Sequence, residues 1–175
     1  MRLYGFLLSA LLFGSLSCKA SKSVGGEKTV RSDAETSQKT KKEEARDRVL
    51  ATLAVYAEGL QHAYATGRTD LLAKVAAPRE VERVATRVSE LADEGKFLDV
   101  KLLRQDPMEI DFPRATMAFA AIQEVWSFEV KALGSQAVLA VEESQVQQVR
   151  YTLVLLPDGS WLVLSRAVLG EPVSG

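Results

Sequence analysis

Cysteine and histidine each occur once in these 175 residues, and neither sign of charge is in excess, with 22 Lys and Arg against 23 Asp and Glu. A single cysteine excludes an intramolecular disulfide. A single histidine leaves a zinc site to carboxylates alone, an uncommon donor set, so no metal or cofactor is expected. Balanced charge gives no footprint for phosphate, which needs Lys and Arg massed on one face, and nucleic acid is therefore not an expected partner. A glycine-rich phosphate loop, a nucleophile elbow and a paired His–carboxylate metal box are missing as well. Serines are plentiful, but a serine nucleophile needs a positioned base. The lone imidazole, His62, falls on the helix face opposite Leu53 and one turn after Glu58, where a solvent-facing pair is expected in place of catalysis.

What is present is globular composition, 47% apolar and 26% charged, enough for one core. The chain opens with Arg2, an apolar run over residues 3–16 and small residues before Cys18, the layout of a signal peptide at 1–17. That run is shorter than the roughly 20 residues needed to span a bilayer and meets Lys19 and Lys22 at once, so a permanent transmembrane anchor is the weaker alternative. Ser15-Leu16-Ser17-Cys18 resembles the bacterial lipoprotein processing site. The resemblance implies diacylglycerol on the Cys18 thiol, attachment to a membrane through that lipid, and residence in the cell envelope, facing the periplasm or the exterior. The alternative is a plain secretory signal with a chance cysteine. Residues 18–44, rich in Ser, Thr, Lys, Glu and Gly, cannot bury enough surface to offset ordering entropy and are expected as a flexible polar tether.

A folded domain is expected over 45–170, followed by a tail at 171–175. Val49, Leu53, Tyr56, Leu60 and Ala63 recur at helical spacing, widened by Leu50, Ala57 and Tyr64, and Gly67 suits the stop. Thr69 can cap a short second helix carrying Leu71, Leu72 and Val75. Pro78 suits the first turn of a third helix with Val81, Val84, Val88 and Leu91 on one stripe and Gly95 at its end. The period then shortens. Leu98, Val100 and Leu102 alternate with polar residues, as do Met108, Ile110 and Phe112, with Pro107 and Pro113 marking breaks or edges. A long strand is expected over 115–130, its apolar face changing partway in the manner of a bulge. Two further strands, through Tyr151 and through Trp161, flank the turn Pro157-Asp158-Gly159-Ser160. Helices first and an antiparallel sheet afterwards define an α+β fold with the helices over one sheet face.

The run Ala115-Thr116-Met117-Ala118-Phe119-Ala120-Ala121-Ile122-Gln123-Glu124-Val125-Trp126, with Arg150-Tyr151-Thr152-Leu153 and Asp158-Gly159-Ser160-Trp161-Leu162-Val163, resembles the intermembrane-space (IMS) domain of chloroplast-division proteins and their cyanobacterial relatives. That domain is similar to the nuclear transport factor 2-like superfamily. The resemblance covers roughly residues 45–169 and implies a curved, cone-like sheet and an interaction domain without catalysis.

Glu124 stands out because alternation sets it beside Ile122 and Trp126 on an apolar face, where a carboxylate is desolvated and either titrates abnormally or finds a partner, with Arg150 a candidate mate. Glu124, Trp126, Arg150 and Tyr151 are thus the candidate pocket or partner-contact residues. Two functions follow. One is a non-catalytic binding module of the cell envelope with a protein partner; the other is a small-molecule or proton-transfer pocket in the cone, using Glu124, Gln123, Tyr151 and Arg150.

Overall fold

A computed structural model describes residues 28–170, with side chains described from residue 38 onward. The signal peptide, Cys18 and the tail expected at 171–175 lie outside these residues. The chain divides into two units, Met1–Ser37 and Gln38–Gly175; of the first only residues 28–37 are described, as helical backbone, and the fold and site lie in the second.

Helix α1 spans Lys28–Thr66, so it starts well ahead of Ala45 and takes in part of the stretch expected as tether. Residues 28–44 lack an apolar stripe, but their Lys, Glu, Gln and Ala content favours helix, and extending an existing helix needs no new nucleus. From Val49 onward the expected stripe is buried, with Val49, Leu53, Tyr56, Leu60 and Ala63 all in the core. The helix stops at Gly67, whose φ of 78° is left-handed and whose N–H returns to the Ala63 carbonyl at 2.8 Å. The expected second helix is a single 3-10 turn, Leu72–Lys74, without a side-chain cap. It fits against α1 only because position 59 is glycine: a Cβ there would meet Leu72 side-chain carbons at 3.0 Å.

Residues 75–77 then run beside the last strand. The Val163 N–H donates to the Val75 carbonyl and the Ala77 N–H to the Val163 carbonyl, each at 2.8 Å. This strap sets the start of helix α2, Pro78–Asp93, over the sheet, with proline in its first turn as expected.

Four strands follow, β1 Lys96–Arg114, β2 Met117–Ala132, β3 Val138–Leu155 and β4 Trp161–Leu169, paired antiparallel in chain order. The two segments expected on either side of Pro107 are one strand. β1 is an edge, and its register slips beside both prolines, between Pro107 and Glu109 and between Asp111 and Arg114, so neither proline interrupts it. The cone-like curvature is not found: β1 and β4 remain separate edges of an open sheet that is neither closed nor strongly curled. The α+β class with N-terminal helices on an antiparallel sheet stands without it.

The core lies between α1, the 3-10 turn and α2 on one side and the inner sheet face on the other. Ala118, Ala120 and Ile122 of β2 alternate inward, opposite Leu153, Tyr151 and Val149 of β3. β3 outruns β4, which pairs with it only from Gln148 onward; among the described residues the stretch of β3 before that residue is bonded to β2 alone.

Candidate functional site

Strand register explains how four strands bring their polar side chains to one place. Glu124 of β2 stands opposite Gln105 of β1 and Gln147 of β3, while Tyr151 of β3 stands opposite Arg166 of β4. These side chains meet across the intervening Ile122–Val149 pair. Glu124 is fully buried and accepts four hydrogen bonds. The Tyr151 hydroxyl donates to Oε1 at 2.5 Å and Gln105 Nε2 to the same oxygen at 3.2 Å. Trp126 Nε1 donates to Oε2 at 2.9 Å, and Arg166 Nη2 to that oxygen at 2.8 Å. Arg166 is itself held by Gln147, whose Oε1 takes a second bond from Nη2 at 2.9 Å, and its Nε donates to the Tyr151 hydroxyl at 3.2 Å.

Burial alone would push the Glu124 carboxyl up, but the Arg166 charge and the hydrogen bonds from Tyr151, Arg166 and Trp126 outweigh it and hold the group below its ordinary value. The Tyr151 hydroxyl is pushed well up, first by burial and then by the neighbouring carboxylate. A carboxylate has about four lone-pair sites, and four donors occupy them. Glu124 is therefore ionised at neutral pH and has no site left to take up a proton, which removes it as a general acid or base.

A second buried carboxylate sits in the helical layer. Glu80, in the first turn of α2, accepts a bidentate pair from Arg83, Nε to Oε2 at 3.0 Å and Nη2 to Oε1 at 2.7 Å, and a short bond from the Tyr56 hydroxyl. Burial and then Glu80 push that hydroxyl above its ordinary value. The rings of Tyr56 and Tyr151 meet edge to face, centroids 5.7 Å apart, so the two polar clusters abut through aromatic rings. Sequence reasoning passed over Glu80 because Val81 carried the stripe. The spacing Glu80, Val84, Leu91 marks the same helix face, and all three are buried.

Between the helices and the inner sheet face, next to these clusters, lies a cleft of about 300 Å³. Three guanidiniums, Arg83, Arg87 and Arg166, line it together with apolar side chains that include Leu98, Trp126 and Phe128.

Of the candidates from the sequence, Glu124, Trp126 and Tyr151 come together. Arg150 does not join them. It is exposed on the outer sheet face, near Glu109, Asp111 and Phe119, because Tyr151 points inward and alternation sends its neighbour out. The ion-pair partner of Glu124 is Arg166. Gln123, beside Glu124, also lies outside the cluster. His62 is half-buried, with Asp70 at 3.6 Å in place of Glu58. Among the described residues no group of three His, Cys, Asp or Glu could hold a metal ion, and no helix is long and apolar enough to cross a membrane.

The fold so assembled is that of a domain whose helices cover one face of an open antiparallel sheet. It is similar to the crystal structure of the intermembrane space region of chloroplast protein ARC6, with a TM-score of 0.61 and 19% identity over 73% of this chain and 97% of that one. At that identity the likeness is one of fold. A 2.5 Å structure from Catenulispora acidiphila matches more loosely, with a TM-score of 0.45 and 14% identity over 70% of this chain and 91% of that one, too low to bear on the fold. No protein-family model matches the chain, and no curated protein matches its sequence.

Proposed function

We propose that this chain is a lipid-anchored binding module of the bacterial cell envelope, exported by the signal at 1–17, held to the membrane through Cys18 and engaging a protein partner without catalysis. The fold shared with the ARC6 intermembrane space region supports grouping the domain with IMS domains of the nuclear transport factor 2-like superfamily.

The observation that carries the binding reading is the far end of the β2–β3 hairpin. Leu133 in the turn after β2, and Val138, Leu139, Val141 and Val146 on β3, are each more than half exposed, and among the described residues this stretch of β3 has no strand on its second edge. A free edge flanked by apolar side chains is how extended segments are captured, with main-chain bonds giving affinity and side chains giving selectivity. The saturated Glu124 points the same way, because a carboxylate with every acceptor site filled serves structure.

A photo-crosslinking residue placed at Leu139 tests the reading in intact envelopes. One reproducible protein adduct that disappears with Val141→Lys is the expected result; no adduct, or one indifferent to the substitution, overturns it. The anchor has its own test. Cys18→Ala should abolish labelling by a palmitate analogue, and label that survives sinks the lipid attachment.

A further inference from the structure

We infer that the arginine-walled cleft between α2 and the inner sheet face binds a small amphipathic monoanion, a carboxylate carried on an apolar body. This site is distinct from the β2–β3 hairpin and stands or falls independently of it. The argument begins with charge. Arg83, Arg87 and Arg166 line the cleft, and among the described residues no Asp or Glu does. Two of these guanidiniums are matched from behind by buried carboxylates, Arg83 by Glu80 and Arg166 by Glu124. Arg87 pairs with Glu90, three residues along the same helix, in a contact about half exposed on both sides, and also feels the charge of Glu94, at the end of that helix. Such pairs are weak and readily exchanged. Exchange of that exposed pair would free one positive charge at the cleft for a ligand, which is the ground for a monoanion.

Hydrogen bonding agrees with the charge count. Among the described residues Arg83 bonds through Nε and Nη2 and Arg166 through Nε and Nη2, which leaves Nη1 of each without a protein acceptor. Arg87 uses Nη1 alone, so its Nε and Nη2 remain to grip a carboxylate through two parallel bonds. The rest of the wall is apolar. Trp126 and Phe128 present tilted rings with centroids 6.4 Å apart, beside Leu98, Val100 and Val168. Trp126 is also fixed from behind by its bond to Glu124, so the aromatic wall is set before a ligand arrives. A volume of about 300 Å³ is at the small end for ligand sites, which suits one compact acid and excludes a phospholipid.

The probe is 1-naphthoate, titrated calorimetrically into the full chain at pH 7, with 1-naphthamide as its uncharged isostere and acetate as charge without an apolar body. Saturable one-to-one binding of 1-naphthoate is expected, weakened at least about tenfold for 1-naphthamide and for acetate, and at least about tenfold by Arg87→Glu. Arg87 is exposed and joins neither buried cluster, so the variant should melt where the parent does, and the melt is recorded alongside. Equal binding of 1-naphthamide, full affinity in Arg87→Glu, or no saturable binding of 1-naphthoate into the millimolar range would each overturn the site.

Discussion

Arg166→Met tests the account of the buried pair most directly. Methionine keeps much of the volume and all of the flexibility of the arginine stem but removes the charge and two donors. Glu124 has no exposed surface and the Arg166 side chain is only 13% exposed, so solvent screens the pair poorly. Removing one partner of such a pair costs about 3–5 kcal/mol, because the remaining charge stays buried without its counter-ion. Tyr151, Trp126 and Gln105 still bond to Glu124, which places the expectation near the lower figure. Against a total stability of about 5–15 kcal/mol that is a large fraction. With a urea m-value of about 2 kcal/mol/M it moves the midpoint down by roughly 1.5–2 M at unchanged slope.

The sign with pH follows from the same cluster. In the parent, the folded Glu124 carboxyl lies below its ordinary value, so its contribution is complete above the unfolded value near 4.5 and fades as pH falls through the folded one. Without Arg166, burial becomes the larger influence and the folded value moves up. The variant then loses stability as pH rises through the unfolded value. The gap between parent and variant should therefore widen from pH 3 to pH 7. Urea melts across that range measure it, and Glu124→Gln completes a cycle in which the double variant is less damaged than the sum of the singles by at least about 1.5 kcal/mol. A loss under about 1 kcal/mol at pH 7, or a gap that narrows with rising pH, refutes the reasoning.

Three further substitutions probe other parts of the fold. Tyr56→Phe removes one donor from the buried Glu80 and leaves Arg83 in place; a loss of about 1–3 kcal/mol in chemical denaturation is expected. Gly59→Ala gains about 1 kcal/mol of helix propensity, yet its methyl lands 3.0 Å from buried Leu72 carbons and 3.2 Å from the Leu72 nitrogen. Crowding of that kind costs about 1–3 kcal/mol, so thermal melts should show net destabilisation. Val141→Lys, on the exposed hairpin, should leave stability within about 0.5 kcal/mol while abolishing partner capture, and a large stability loss would mean that the hairpin packs against the domain.

Much of this architecture was legible because one face of each element is buried. The α1 stripe from Val49 to Ala63, the proline at the start of α2, the turn at Gly159 and the inward position of Glu124 all follow from period and turn chemistry. The partner of Glu124 was not legible, and the reason is local. From Trp161 and Val163, strict alternation would send Arg166 outward with the even-numbered residues. The register slips between β3 and β4 beside Thr152 and Leu153, and beyond the slip Arg166 and Val168 share the inner face with Tyr151 and Val149. The same thing happens on β1, where a slip between Leu102 and Arg104 turns Gln105 toward Glu124. A bulge reverses the phase of every residue after it without a sequence signal strong enough to place it. Arg150, the expected mate of Glu124, is next to inward-pointing Tyr151 on β3, and adjacency along a strand means opposite faces. The open sheet was equally unreadable, since alternation gives faces and says nothing of whether edge strands meet.

The edge of β3 that has no partner strand among the described residues also carries the adjacent carboxylates Glu142 and Glu143, both exposed, in the middle of the stretch Val138-Leu139-Ala140-Val141-Glu142-Glu143-Ser144-Gln145-Val146-Gln147. Two copies laid edge to edge and antiparallel about that point would press like charges together, the device by which natural sheets discourage stacking into fibres. Edge-to-edge pairing of two copies is thus disfavoured, whereas lysine or arginine at the matching position of an added strand would meet opposite charge. Neutralising both glutamates would remove that repulsion and leave the edge prone to pair with itself.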